Sequence, residues 1–147
     1  MTNSERAVNK FKEGYNCAQS VLFSLSRYTD IDEDFSLKLA TGFGAGMGRT
    51  QHVCGAVSGG LLAINAMYGR GEKELKEKQD DVYQKVQHLI GEFKKRKKTI
   101  ICRELLDGCD LLTPRGQSRF SSENMIEMCH SYVRSVVEIL EEIMEEK

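Results

Sequence analysis

The sequence predicts a single all-α domain over residues 1–147, a compact bundle-like domain of five to seven helices with a Gly-rich loop at 42–50. Three observations predict it. Apolar residues recur at three- and four-residue intervals along most of the 147 residues, the spacing that gathers side chains on one face of a helix. No segment alternates apolar and polar residues with a strand's period of two, and nothing reads as a hairpin. The breaks fall at glycines and at the single proline, Pro114, the residues that interrupt helices.

The elements follow in order. The polar N-terminal stretch MTNSERAVNKFKEG is assigned no element. In NCAQSVLFSLSRY, Asn16 can cap a helix and Gln19 can complete a capping box. Its inward face is Cys17, Val21, Leu25 and Tyr28, with Leu22 beside it. DEDFSLKLATGFG reads as a shorter helix from about Asp32, ending where the glycines begin. CGAVSGGLLAINAMY gives a helix from Cys54 to about Tyr68, broken by GRG. Leu75, Val82, Val86, Leu89 and Phe93 fall on a heptad-like seam, which predicts a long helix from Glu72 to about Lys97. ICRELLDGCDL is a short helix with Cys102, Leu105, Leu106 and Cys109 on one side. Pro114 marks a loop, LLTPRGQSRF. The last helix is SSENMIEMCHSYVRSVVEILEEIMEE, capped by Ser122, with Met125, Cys129, Tyr132, Val136, Leu140 and Ile143 inward.

Composition excludes several function classes. The net charge of −1 and pI near 6.3 give no overall pull toward nucleic acid or anionic lipid. The basic FKKRKK complements the dipole at its helix C-terminus and is offset by the acidic EILEEIMEEK. No apolar run approaches the roughly 20 residues of a membrane span, and the N-terminus lacks the apolar core of a signal peptide. The expectation is a cytoplasmic protein that binds neither nucleic acid nor membrane, with homo-oligomer formation left open. Its five cysteines are too sparse for a disulfide scaffold and include no CxxC pair.

GFGAGMGRTQHVCGAVSGG, Gly42 to Gly60, is the one unusual stretch. A phosphate-binding P-loop needs GxxxxGK[ST] after a strand. Here Phe43 stands where the first glycine belongs, Arg49 where lysine belongs, and the preceding segment is helical. The GxGxxG spacing fails too, because the glycines fall at every second residue. The stretch instead reads as a flexible connection that delivers Cys54 to a helix N-terminus. Cys17, after the Asn16 cap, occupies the same position on another helix. A helix N-terminus stabilises a thiolate, so Cys54 is expected to have a lowered pKa and to be the lead thiol. Gly55, Ala56, Ser58, Gly59, Gly60 and Ala63 then form a run of very small residues. Glycine inside a helix costs about 1 kcal/mol against alanine, so close approach of either a neighbouring helix or a ligand is implied. His52 and His130 flank two of the cysteines and could ligate a metal or tune a thiol. His88 reads as a surface residue, and Met47, Met125 and Met128 as packing.

The stretch Gly42–Gly60 resembles the central motif of the C_GCAxxG_C_C family, whose members are described as redox-active. The glycine-rich GFGAGMGR run, the cysteine after it and the CGAVSG box appear in order. GYNCAQSVL, CRELL and MCHSYV resemble the family's other cysteine segments, and the resemblance covers about residues 5 to 140. It implies that Cys17, Cys54, Cys102 and Cys129 are the four family cysteines, with Cys109 outside the pattern. Some relatives carry an export signal used by proteins folded around a prosthetic group, so the resemblance implies an iron–sulfur cluster. Four thiolates suit Zn²⁺ as well. Their charge would be offset by the two helix N-termini and by Arg103. With no cofactor, paired cysteines could cycle between dithiol and disulfide, with Cys54 and Cys17 as the catalytic thiols. The expected function is an oxidoreductase or electron-transfer protein with a redox partner of unassigned identity. The contrasting reading is a structural or interaction module whose buried cysteines are inert.

Overall fold

In the computed structural model, which describes residues 1–145, seven helices have seven or more residues, 72% of the described residues are helical and no strand forms among them. The first helix was not legible. α1 (Asn3–Lys12) starts at Thr2, whose hydroxyl accepts from the Glu5 amide while the Glu5 carboxylate accepts from the Thr2 amide. Its apolar inward face is only Ala7 and Val8, both buried, and the half-buried Phe11, beside the buried polar Asn3. A three-residue stripe in a polar segment is too thin to register as a period.

α2 (Cys17–Ser24) begins with the expected box: the Gln19 amide donates to Asn16 Oδ1 at 2.9 Å and the Asn16 amide donates to Gln19 Oε1 at 3.0 Å. The chain breaks at Leu25 (φ −106°, ψ 13°) before the single turn α3 (Ser26–Thr29). That break rotates Tyr28 outward, to 44% exposure, against the inward placement expected of it. α4 (Glu33–Ala40) is capped by Asp32, which accepts from the Phe35 amide. A 3₁₀ turn, Thr41–Phe43, leads to α5 (Gly44–Met47), one turn of i to i+4 bonding in which Ala45 and Gly46 are left-handed.

α6 (Gly55–Tyr68) starts just after Cys54, as expected. α7 (Glu77–Lys97) starts later than the expected Glu72. The Gly71 amide donates to Glu74 Oε1 and Arg70 Nε to the Glu74 carbonyl, closing a turn that leaves Leu75 77% exposed. α8 (Cys102–Leu105) is cut short by left-handed Asp107 and Gly108 (φ 54° and 76°). Cys109 therefore lies beyond the helix, although Leu106 and Cys109 are buried as expected. The expected loop at Pro114 is a helix, α9 (Pro114–Ser122). Thr113 caps it by accepting from the Gly116 amide, and Pro114 occupies N1, where a missing N–H costs nothing. Ser122 consequently ends α9 and does not cap the last helix, α10 (Ile126–Glu145). Glu146, the last residue of the helix expected here, lies outside the described residues.

The core forms where α2, α6, α7 and α10 meet, around Leu22, Leu25, Ile64, Leu89, Phe93, Val133, Val136 and Leu140. A smaller cluster of Cys102, Leu106, Cys109 and Met125 lies between α8 and the start of α10. The small residues of α6 are explained by packing. A Cβ at Gly59 would stand 2.6 Å from the Ala18 carbonyl oxygen and 3.0 Å from its Cα, and one at Gly60 would stand 2.7 Å from Val136 Cγ1. Glycine thus lets the α6 backbone lie directly on α2.

Two glycine-to-alanine changes should act in opposite directions. Gly59→Ala gains helix propensity but forces α2 off α6, and should lose about 2 kcal/mol of stability. Gly91, with nothing within 4 Å of its Cβ position, sits in α7, and Gly91→Ala should gain about 0.5–1 kcal/mol. Urea denaturation of both variants checks the pair. Equal effects of the same sign would refute the close approach.

Candidate functional site

Three local devices deliver the cysteines. Cys17 is the first residue of α2, and its neighbour Asn16 fixes that end by donating from Nδ2 to the Thr41 carbonyl at 2.9 Å. Val53 and Ile101 form an isolated antiparallel bridge. The Cys54 amide donates to the Ile100 carbonyl and the Cys102 amide to the His52 carbonyl, both at 2.7 Å. One bridge therefore sets the starts of α6 and α8 side by side. Cys129 comes from the first turn of α10, where the Tyr132 hydroxyl donates to the Leu105 carbonyl at 2.7 Å and ties α10 to α8.

The loop between Cys17's neighbourhood and Cys54 is not the flexible connection expected. Ala45, Gly46, Met47, Gly48, Arg49 and Gln51 all have φ between 54° and 71°. The turn is held by bonds from the Gly48 amide to the Gly44 carbonyl (2.9 Å), the Gln51 amide to the Ala45 carbonyl (3.2 Å) and the His52 amide to the Gly46 carbonyl (2.9 Å). A left-handed residue other than glycine costs about 1 kcal/mol, and four of the six are not glycine. Such strain persists only where the surroundings over-determine it. Gly46 is required, since a Cβ there would stand 2.8 Å from Cys102 Cβ. A Cβ at Gly55 would likewise collide with Cys17 Sγ.

These elements enclose one cavity of about 360 Å³, and Cys17, Cys54, Cys102 and Cys129 all line it. Four positions spread over 113 residues of sequence thus converge. Cys54 and Cys102 are buried and Cys17 and Cys129 half-buried; all five cysteines are free thiols. The remaining wall is largely apolar, from Phe11, Leu105, Leu106, Phe120, Ile126 and Tyr132, while Ala45 and Arg49 bring the strained loop to its edge. Cys109 does not line it. Its thiol donates to the Gly116 carbonyl at 3.1 Å, 1% exposed, and so has a structural partner of its own.

Burial governs the thiols. Desolvation pushes the Cys54 pKa well above its ordinary value, and the neighbouring Cys17 and Cys102 add to this, against the amides of Val57 and Ala56. The lowered pKa expected of Cys54 is therefore corrected: the helix N-terminus is present, but the loss of water outweighs it. Burial also raises Cys17, opposed by the amides of Ala45, Ala18, Cys17 itself and Ala56. Cys102 is pushed up to about 11 by burial and by Cys17, with the Gln51 side chain opposing. Cys129 is pushed up to about 12 by burial, Cys17 and Cys102. Amides from three chain segments nonetheless converge on Cys17.

Other candidates fall away from the cavity. His52 is exposed and its side chain does not line the cavity. His130 is buried against Phe11, ring centroids 5.2 Å apart, with Nδ1 3.5 Å from Glu127. Arg103 pairs with Asp110 at 3.0 Å instead of facing the thiols. Gln51 was missed. Buried and left-handed, it donates to the Cys109 carbonyl at 2.7 Å and accepts from the Leu111 amide at 2.9 Å. Only its place between the glycines and Cys54 could have marked it.

The model of the family described as "Putative redox-active protein (C_GCAxxG_C_C)" matches residues 15–143. The chain belongs to that family. No curated protein and no solved structure matches it. The cavity gives the C_GCAxxG_C_C signature a spatial meaning, for the small box after Cys54 is what lets the Cys17 sulfur lie beside α6. Among the described residues no helix is long and apolar enough to cross a membrane.

The raised thiols predict an alkaline signature in metal-free protein. The native state holds protons that the unfolded chain releases near pH 8.5, so this contribution to stability is full below that pH. It should decline as pH rises through about 11 and 12, the values of Cys102 and Cys129. Iodoacetamide labelling followed by peptide mass spectrometry should find these thiols slow at pH 7.5 and faster only above about pH 10. Rapid labelling of Cys54 at pH 7 would overturn the dominance of burial.

Proposed function

We propose that Cys17, Cys54, Cys102 and Cys129 together hold an iron–sulfur cluster and that the protein transfers electrons. The carrying observation is the single cavity that all four cysteines line. Size supports the choice of group. The tetrahedral Zn–S distance of about 2.3 Å requires sulfurs roughly 3.8 Å apart. Among the described residues, however, no three cysteine sulfurs lie within 4.8 Å of one another. A polynuclear group carries its thiolates farther apart around its own core, and a 360 Å³ space suits it. Zinc is also redox-inert, which fits poorly with the family description. When bound, the cluster supplies one-electron redox chemistry.

The chain's own residues do the rest. The four thiols would be the ligands; metal binding would displace their protons to solvent and favour the thiolates that burial disfavours. Amides of Ala18, Ala45 and Ala56 face the Cys17 sulfur, and those of Ala56 and Val57 the Cys54 sulfur. They offset negative charge without bringing in water. Leu105, Leu106, Phe11 and Phe120 keep the surroundings apolar, and Arg49 places a cation at the edge. The dithiol reading is less well supported, because attack on a disulfide needs a thiolate and burial disfavours one at all four positions.

Anaerobic purification or reconstitution with iron and sulfide, followed by metal analysis and visible absorption, is the test. Bound iron with sulfide-to-iron charge-transfer bands is expected. Each of Cys17→Ser, Cys54→Ser, Cys102→Ser and Cys129→Ser should lower cluster content at least severalfold, and Cys109→Ser should retain it. Protein that takes up no iron but forms a reversible disulfide would establish the dithiol mechanism instead. Thiols inert to both treatments would leave the structural role.

A further inference from the structure

We propose a second metal site, for a first-row divalent cation such as Zn²⁺, formed by His88, Glu92 and Glu142 and joining α7 to α10. His88 and Glu92 are four residues apart on α7, so their side chains lie one turn apart on one face. Glu142 comes from α10. One ligand atom from each residue lies within 4.8 Å of the other two, the only such set of three among the described residues. None of the three lines the cysteine cavity.

An independent observation points to a missing partner. His88 Nε2 is buried and makes no hydrogen bond. A buried polar atom left unpaired calls for an explanation, and the surface placement expected for His88 does not provide one. The imidazole is half-buried, and the group around it is electron-rich. One imidazole nitrogen and two carboxylates are ordinary ligands of Zn²⁺, and two glutamates balance its charge. Two cations hold the carboxylates in the structure described. Arg96 Nη2 is 2.7 Å from Glu142 Oε1, and Lys95 Nζ is 3.6 Å from Glu92 Oε2. Each carboxylate keeps a second oxygen outside these pairs, and Lys95 is 78% exposed. Bound Zn²⁺ would join three side chains of the two longest helices where one partly exposed ion pair, Arg96–Glu142, now links them.

The test follows the imidazole ring of His88 in ¹H–¹⁵N spectra of the full chain during Zn²⁺ titration. Three histidines make assignment by His88→Gln direct, and zinc taken up by the cysteines does not report at this ring. The His88 nitrogen resonance should move with single-site saturation. Glu92→Gln and Glu142→Gln should each weaken the affinity about tenfold or more, on the scale that disturbing a metal's shell produces. Arg96→Gln should tighten it, because it frees Glu142. A His88 ring that excess Zn²⁺ leaves unmoved, or an affinity unchanged in both glutamine variants, overturns the proposal. Neither result bears on the cysteine cavity, whose test reads iron content and visible absorption.

Discussion

The direct contact of α6 on α2 is the constraint on which the rest of this structure depends. Gly59 lies against the Ala18 backbone, with no room for a Cβ between them. The two helices are thereby locked in register at backbone distance. One turn toward their starts, Gly55 admits the Cys17 sulfur in the same way. Register at the packed face thus becomes position at the site, since Cys17 and Cys54 each stand at the beginning of one of these helices. A larger residue in the box would separate the helices and part the two sulfurs together.

Everything else around the cavity is arranged to finish what that contact begins. The bridge between Val53 and Ile101 adds Cys102, and the Tyr132 hydroxyl adds α10 with Cys129. The left-handed turn covers the remaining side and contributes the Ala45 amide. Its strain is a local cost that a helix-favouring sequence would not accept without compensation from the bonds around it. The result is an apolar hole among four thiols whose protons are held by desolvation. Such a hole resists charge, and under the proposed function the cluster's iron would supply the countercharge. The second cluster of ligand atoms, between α7 and α10, is remote from this hole and sits on the two helices that the core already pairs.

Much of this was legible in the residues. The caps at Asn16 and Asp32 and the start of α6 follow from short-range chemistry: a side-chain acceptor, a free amide and a small residue that stops or permits a turn. The misread segments were decided by contacts that leave no period in the sequence, some distant and some within a few residues. α1 is too polar to show a stripe and is helical because Ala7, Val8 and Phe11 meet the core. Pro114 reads as a breaker and acts as an N1 residue because Thr113 lies in extended backbone (φ −108°, ψ 148°) and caps the turn. Tyr28 and Leu75 follow the helical period in sequence but stand beyond breaks made by the backbone.

The sequence by itself determined the helical class, the starts of α2, α4 and α6 and the four cysteines of the motif, because these rest on interactions within a few residues or on a motif carried in order. It could also mark the small-residue box as a place of close approach. Only the tertiary structure decided what approached, and that was the backbone of α2 and the sulfur of Cys17. It also decided the state of the thiols. A helix N-terminus is a local feature and favours the thiolate, whereas burial is a property of the whole packed assembly and here prevails. The 53–101 bridge and the gathering of His88 and Glu92 beside Glu142 depend on residues brought together over long separations. No period or spacing along the chain encodes such meetings, because their energy exists only once the helices have packed.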